Sequence, residues 1–119
     1  MPRKLVMTRQ VRDWLHALRS GDAVTRRLVA EAIDCLLDEG PSLGRPLVDR
    51  IAGSRLHNLK ELRPGSSGTS EVRILFIFDP VRNAVLLVAG DKSGRLKEWY
   101  AEAIPAAEAL YEAYLKGQQ

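Results

Sequence analysis

Residues 71–78 read Glu-Val-Arg-Ile-Leu-Phe-Ile-Phe, and from Ile74 onward both the odd and the even positions are apolar. Side chains alternate across a strand, so this run leaves no face for water and needs a packed layer on each side. It is therefore expected to be a central strand. Asp79-Pro80 opens a turn, and Ala84 to Ala89 returns antiparallel to it as the second half of a hairpin.

The covering layers are legible as helices. Thr8 is positioned to cap a first helix in which Val11, Trp14, Leu15 and Leu18 form an i, i+3, i+4, i+7 stripe. Ser20-Gly21-Asp22 ends it and starts a second helix. There Val24, Leu28, Val29, Ala32, Ile33, Leu36 and Leu37 make a band wide enough to lie on a sheet. Glu39-Gly40-Pro41 stops that helix, with glycine in a left-handed cap. Lys4–Met7, Leu47–Ile51 and Leu56–Arg63 read as further strands, and 64–70 as a mobile turn. Residues 90–97 read as a loop, and helical pattern resumes near Glu98 with Pro105 in an early, tolerated position. Tyr111 and Tyr114, three apart on this helix, are expected to pack together. The fold class is α+β: an N-terminal helical hairpin on a mostly antiparallel sheet of about four strands, followed by a C-terminal helix. At 119 residues the chain reads as one domain, 1–119, able to bury a core without metal or disulfides.

Several chemistries are disfavoured. His16 and His57 are the two histidines and Cys35 the one cysteine, too few for a closed zinc site. Neither HExxH nor CxxC occurs, and Gly90-Asp-Lys-Ser-Gly94 lacks P-loop spacing. Ser66-Ser67 lie in the mobile turn, not on a nucleophile elbow. Cys35 reads as a small buried hydrophobe and His16 as an ordinary helix-face residue; Asp79 reads as a turn former. No apolar run is long enough to span a membrane and no leader opens the chain, so a cytoplasmic location is expected. No cofactor and no metal are expected.

Charge is modest in sum, +3, but segregated. Residues 1–27 carry Arg3, Lys4, Arg9, Arg12, Arg19, Arg26 and Arg27 against Asp13 and Asp22, whereas Glu98, Glu102, Glu108 and Glu112 crowd the end of the chain. The strands carry cations too: Lys60, Arg63, Arg73 and Lys92, with His57 and Lys97 nearby. Such a pattern suits a nucleic-acid or acidic-protein partner, or solvated helix faces. RNA can be cut without metal if its 2′-hydroxyl attacks the adjacent phosphorus. Arginine then suits the phosphate oxygens, and lysine suits proton transfer where its surroundings lower its pKa. Strand alternation sends Lys60 and Arg63 to opposite faces, so either Arg63 lies past the strand end at the Pro64 kink or only one of the two belongs to a site.

Leu59-Lys-Glu-Leu-Arg63, Val72-Arg-Ile-Leu-Phe76, Ala89-Gly-Asp-Lys92 and Trp99-Tyr100, in that order behind a two-helix opening, resemble the RelE/HigB toxin superfamily. The likeness is to its HigB-like, phage-derived branch and covers nearly the whole chain. It implies the toxin of a type II toxin–antitoxin pair with a microbial RNase-like fold, cleaving messenger RNA on the ribosome as a metal-independent endoribonuclease. It also implies a HigA-like helix-turn-helix antitoxin as partner, and operator DNA bound indirectly through that antitoxin. Carried onto this chain, Arg63 and Arg73 match the basic positions used on phosphate, and Lys60 and Lys92 match as phosphate or proton-transfer groups. His57, Lys97 and Tyr100 are the expected substrate-binding residues. The closing Tyr114-Leu-Lys-Gly-Gln-Gln119 lacks the terminal tyrosine of RelE-type sites and the acidic-aromatic-histidine cluster of some HigB proteins. A ParE-like gyrase poison, or an inactive copy that acts by binding, is thus the alternative.

Overall fold

Five strands form a single mixed sheet, laid side by side as the first, fifth, fourth, third and second in chain order, in a computed structural model that describes residues 3–65, 68 and 70–117. The elements in chain order are β1 (Leu5–Met7), α1 (Arg9–Gly21), α2 (Ala23–Glu39), a short 3-10 turn (Gly40–Ser42), β2 (Val48–Arg50), β3 (Lys60–Leu62), β4 (Val72–Phe78), β5 (Ala84–Asp91) and α3 (Leu96–Gly117). The class is α+β, as expected. The strand count exceeds the expected four because β1 joins the sheet, pairing parallel to β5, while all other neighbours are antiparallel.

Strand β4 is sandwiched as its sequence requires. Ile74, Phe76 and Leu86 pack with Val29, Ile33 and Leu36 of α2 on one face, and Leu75, Ile77, Val85 and Leu87 pack with Trp99, Ala103 and Ala107 of α3 on the other. The helix boundaries follow local chemistry. Thr8 Oγ1 accepts from Val11 N, and the Asp22 carboxylate accepts from Thr25 N, so one residue both ends α1 and caps α2. Gly40 has φ of 65°, as the left-handed stop requires, and the Arg3 guanidinium beside it donates to the carbonyls of Leu37 and Asp38 at the negative end of α2.

Parallel pairing ends at Met7, yet the exposed edge of β5 does not go unpartnered. Thr8 N donates to Leu86 O and Thr8 Oγ1 to Leu87 O. The Gln10 side chain then acts as a short piece of strand: its Nε2 donates to Ala89 O and its Oε1 accepts from Ala89 N, both at 2.8 Å.

Several local expectations need correction. Strand β3 is three residues long, because Ser54 and the Arg55 N–H instead donate to Glu108 of α3 and draw the preceding segment into a loop. Strand β5 continues to Asp91, paired with Val72. The helix begins at Leu96, so Pro105 lies inside α3 and not in its first turn. Cys35 is exposed, since it sits on the solvent side of α2, and so is Val24, at 49%. Asp79 does form the turn: its Oδ1 accepts from Val81 N and Asn83 N, and its Oδ2 also receives the Tyr114 hydroxyl. Tyr111 and Tyr114 stack with ring centroids 6.1 Å apart. Ser66, Ser67 and Thr69 of the expected mobile turn, and the terminal Gln118 and Gln119, lie outside the described residues. Among the described residues no helix is long and apolar enough to cross a membrane.

Candidate functional site

Helix α3 packs over β5 and β4 and leaves the β3–β2 side of the same face uncovered. The overhang makes a cleft of about 510 Å³ whose lining includes Glu61 and Arg63 from β3 and its end, Lys92 from beyond β5, Arg50, and Tyr100 of α3. Register explains who meets there. Asp49 faces Glu61 across β2–β3, Glu61 faces Leu75 across β3–β4, and Arg73 faces Gly90 across β4–β5. Opposed residues share a face, as do positions two apart, so Asp49, Glu61, Arg63, Arg73 and Lys92 all project toward α3.

At the centre is Glu61, whose side chain is only 6% exposed. One oxygen accepts the Tyr100 hydroxyl at 2.5 Å and lies 3.8 Å from Arg73 Nε; the other lies 3.5 Å from Arg63 Nε. An outer ring encloses this cluster. Lys92 Nζ is 3.1 Å from Glu71 and 5.8 Å from the Tyr100 ring centroid, Arg73 reaches the same Glu71 at 4.0 Å, and Arg63 Nη1 is 3.6 Å from Asp49. Burial, and after it the hydrogen bond and charge of Glu61, push the Tyr100 phenol up to about 12, while Arg73 pulls partly the other way.

Two opposing features set what this arrangement can do. Three cations, Arg63, Arg73 and Lys92, are matched by three carboxylates, Glu61, Glu71 and Asp49. The cleft is thus largely a network of paired charges, with Arg50 at its lining the cation that no ion pair engages among the described residues. Yet the buried Nε atoms of Arg63 and Arg73 have no hydrogen-bond acceptor, because their approach to Glu61 is an ion pair without hydrogen-bond geometry. A buried donor without an acceptor is costly, so these guanidinium groups are held here by ion pairing and packing without hydrogen bonds at Nε.

Of the residues singled out from sequence, Arg63, Arg73, Lys92 and Tyr100 come together. Lys60 does not: it points to the opposite face, over the Phe78 ring at 5.8 Å and 3.5 Å from Pro41 O. His57 is exposed in the loop before β3, outside the cleft lining. Lys97 is exposed on a neighbouring groove that shares Tyr100. Sequence reasoning missed Glu61, the hub of the site. Its signal was parity, since Glu61 lies two residues from Arg63 and on the face opposite Lys60. Among the described residues no group of three or more His, Cys, Asp or Glu side chains is placed to hold a metal ion.

The sequence model of a family described as "Phage derived protein Gp49-like" matches residues 13–112. A Mycobacterium tuberculosis (strain ATCC 25618 / H37Rv) protein named "Putative toxin HigB2" is 53% identical over 106 residues, covering 89% of this chain and 51% of that protein. A second from the same strain, "Putative toxin HigB3", is 48% identical over 114 residues, covering 96% of this chain and 95% of that protein. The chain therefore spans about half the length of the first relative and nearly all of the second. No solved structure matches it.

Proposed function

Because the chain belongs to the Gp49-like family of phage-derived proteins, beside relatives named as HigB toxins, we propose that it is the toxin of a toxin–antitoxin pair and cuts messenger RNA on the ribosome at the Glu61 cleft. The carrying observation is the convergence of Arg63, Arg73 and Tyr100 on the Glu61 carboxylate, with Lys92 beside them over the Tyr100 ring.

The chemistry runs through the substrate's own 2′-hydroxyl. Its oxygen forms a bond to the adjacent phosphorus as the bond from phosphorus to the 5′-oxygen breaks, leaving a cyclic phosphate and a free 5′-hydroxyl. Arg63 and Arg73 meet the phosphate oxygens with their guanidinium groups and offset the charge that builds on the phosphorane. Glu61, paired with both guanidinium groups, is the carboxylate assigned to receive the proton of the attacking hydroxyl. The Lys92 ammonium gives a proton to the departing 5′-oxygen. Tyr100 remains protonated and presents its ring to the nucleotide. The partner is a HigA-like helix-turn-helix antitoxin, through which operator DNA is engaged indirectly.

The test is induced expression in a bacterial host with transcript 5′-end mapping. Cuts within coding regions that disappear in Arg73→Ala support the reading; growth arrest with intact transcripts refutes cleavage. One observation favours a second reading. The matched carboxylates Glu61, Glu71 and Asp49 offset the cations and are compatible with a ParE-like protein that acts by binding. DNA damage with intact RNA is its signature.

A further inference from the structure

On the opposite side of the sheet from the cleft, α1 and α2 enclose a groove of about 320 Å³. Each helix contributes a matching stripe. Arg12, Leu15, His16 and Arg19 come from α1, and Arg26, Val29, Ala30 and Ile33 come from α2, both at the i, i+3, i+4, i+7 spacing of a single helix face. The floor is aliphatic and the rim cationic, and no carboxylate lines it. The three arginines are exposed and, among the described residues, have no carboxylate partner, unlike Arg63, Arg73 and Lys92 of the cleft.

We propose that this groove docks an acidic amphipathic helix of a partner protein, a conclusion that deepens the toxin–antitoxin reading and rests on it. An aliphatic trough with charged margins takes a helix whose apolar stripe is flanked by carboxylates. Arg12 and Arg19 lie about 10 Å apart along α1 at 1.5 Å per residue, the i to i+7 separation on such an occupant. A nucleic acid fits less well, because the lining offers no aromatic ring on which a base could stack, apart from the imidazole of His16 at the rim. A second copy of the chain fits less well too. Its acidic helix α3 already commits Glu102 to Arg95, and Glu108 and Glu112 to Arg55. A helix seated here leaves the Glu61 cleft open, so the partner would silence the chain by blocking its approach to a large assembly.

The test uses the full chain, isotope-labelled for amide NMR, and a synthetic helical peptide with a leucine stripe flanked by glutamates. Its controls are the same peptide with lysines for glutamates and a single-stranded oligoribonucleotide. Saturable shifts at Leu15 and Ala30, weakened at least tenfold in Arg19→Glu/Arg26→Glu, and lysine-peptide binding to that variant alone, support the proposal. It is overturned if the acidic peptide does not bind, if charge reversal leaves its binding unchanged, if the oligonucleotide moves the same amides, or if reversal instead breaks a dimer. Growth arrest on induction of the unaltered chain is scored separately. Its absence refutes the toxin reading, whereas arrest without peptide binding refutes only the groove.

Discussion

The Tyr100 hydroxyl donates to Glu61 across 2.5 Å, tying α3 to the short strand β3 at the cleft it helps to wall. Because that phenol is pushed up to about 12, it enters any reaction near neutral pH as a proton-bearing group.

Tyrosinate absorbance gives a direct check. Burial leads the causes that push up Tyr111 and Tyr114 as well, and Asp79 adds to both. At pH 10 the folded chain is therefore expected to show less than half-ionisation of its tyrosines. The sign follows from linkage: with Tyr100 raised above its unfolded value near 10, its contribution to stability is full below pH 10 and is lost as pH climbs toward 12. Glu61→Gln removes a secondary cause but not burial, so it should lower the Tyr100 value only part of the way. A return to 10 would mean that burial is not the leading cause.

Cleavage, or growth arrest as its proxy, separates the two faces of β3. Arg73→Ala and Arg63→Ala are each expected to cost on the order of hundreds-fold in rate, by analogy with loss of an oxyanion donor. Lys60→Ala and His57→Ala should stay within a few-fold of the parent, since Lys60 points to the opposite face over Phe78 and His57 is exposed in the loop before β3, neither of them against Glu61. Thermal unfolding run alongside distinguishes lost chemistry from a lost fold. A Lys60→Ala effect as large as that of Arg73→Ala would move the site to the other face.

Gly90 is required by its neighbour. A Cβ there would collide with Trp99 Nε1, so Gly90→Ala must push the indole off the sheet. Overpacking of this kind costs roughly 1–3 kcal/mol, and urea unfolding followed by tryptophan fluorescence should register it. Because Trp99 adjoins Tyr100, with ring centroids 5.1 Å apart, the same change should weaken the cleft.

Gln10→Ala removes the side chain that completes the edge of β5. Two neutral hydrogen bonds at about 1 kcal/mol each set the scale of the loss. Hydrogen exchange at the Ala89 amide should quicken selectively, while the amides of Leu75 and Leu86 keep their protection. Uniform acceleration would show that the pairing is not local.

What the sequence disclosed tracks the range of the interaction. Thr8 and Asp22 announce helix starts because a cap bonds within three residues, and 74–78 announces burial because both parities are apolar. Glu61 was illegible as a hub because its partners Arg73 and Tyr100 come from β4 and α3, and only the register sets them together. The same holds for the segment before β3, where Ser54 is held by Glu108 of α3, 54 residues away from it. Pro105 misled because a local rule placed the start of the helix too late; α3 tolerates the proline within its span.

The parallel first strand carries a consequence for biosynthesis. Thr8 waits for Leu87, 79 residues downstream, and the cleft waits for Tyr100. While the chain is still emerging from the ribosome that makes it, neither the sheet's outer edge nor the wall beside Glu61 can exist. A product that stops short of α3 would therefore lack one wall of the cleft, and the site can form only after Tyr100 has been made.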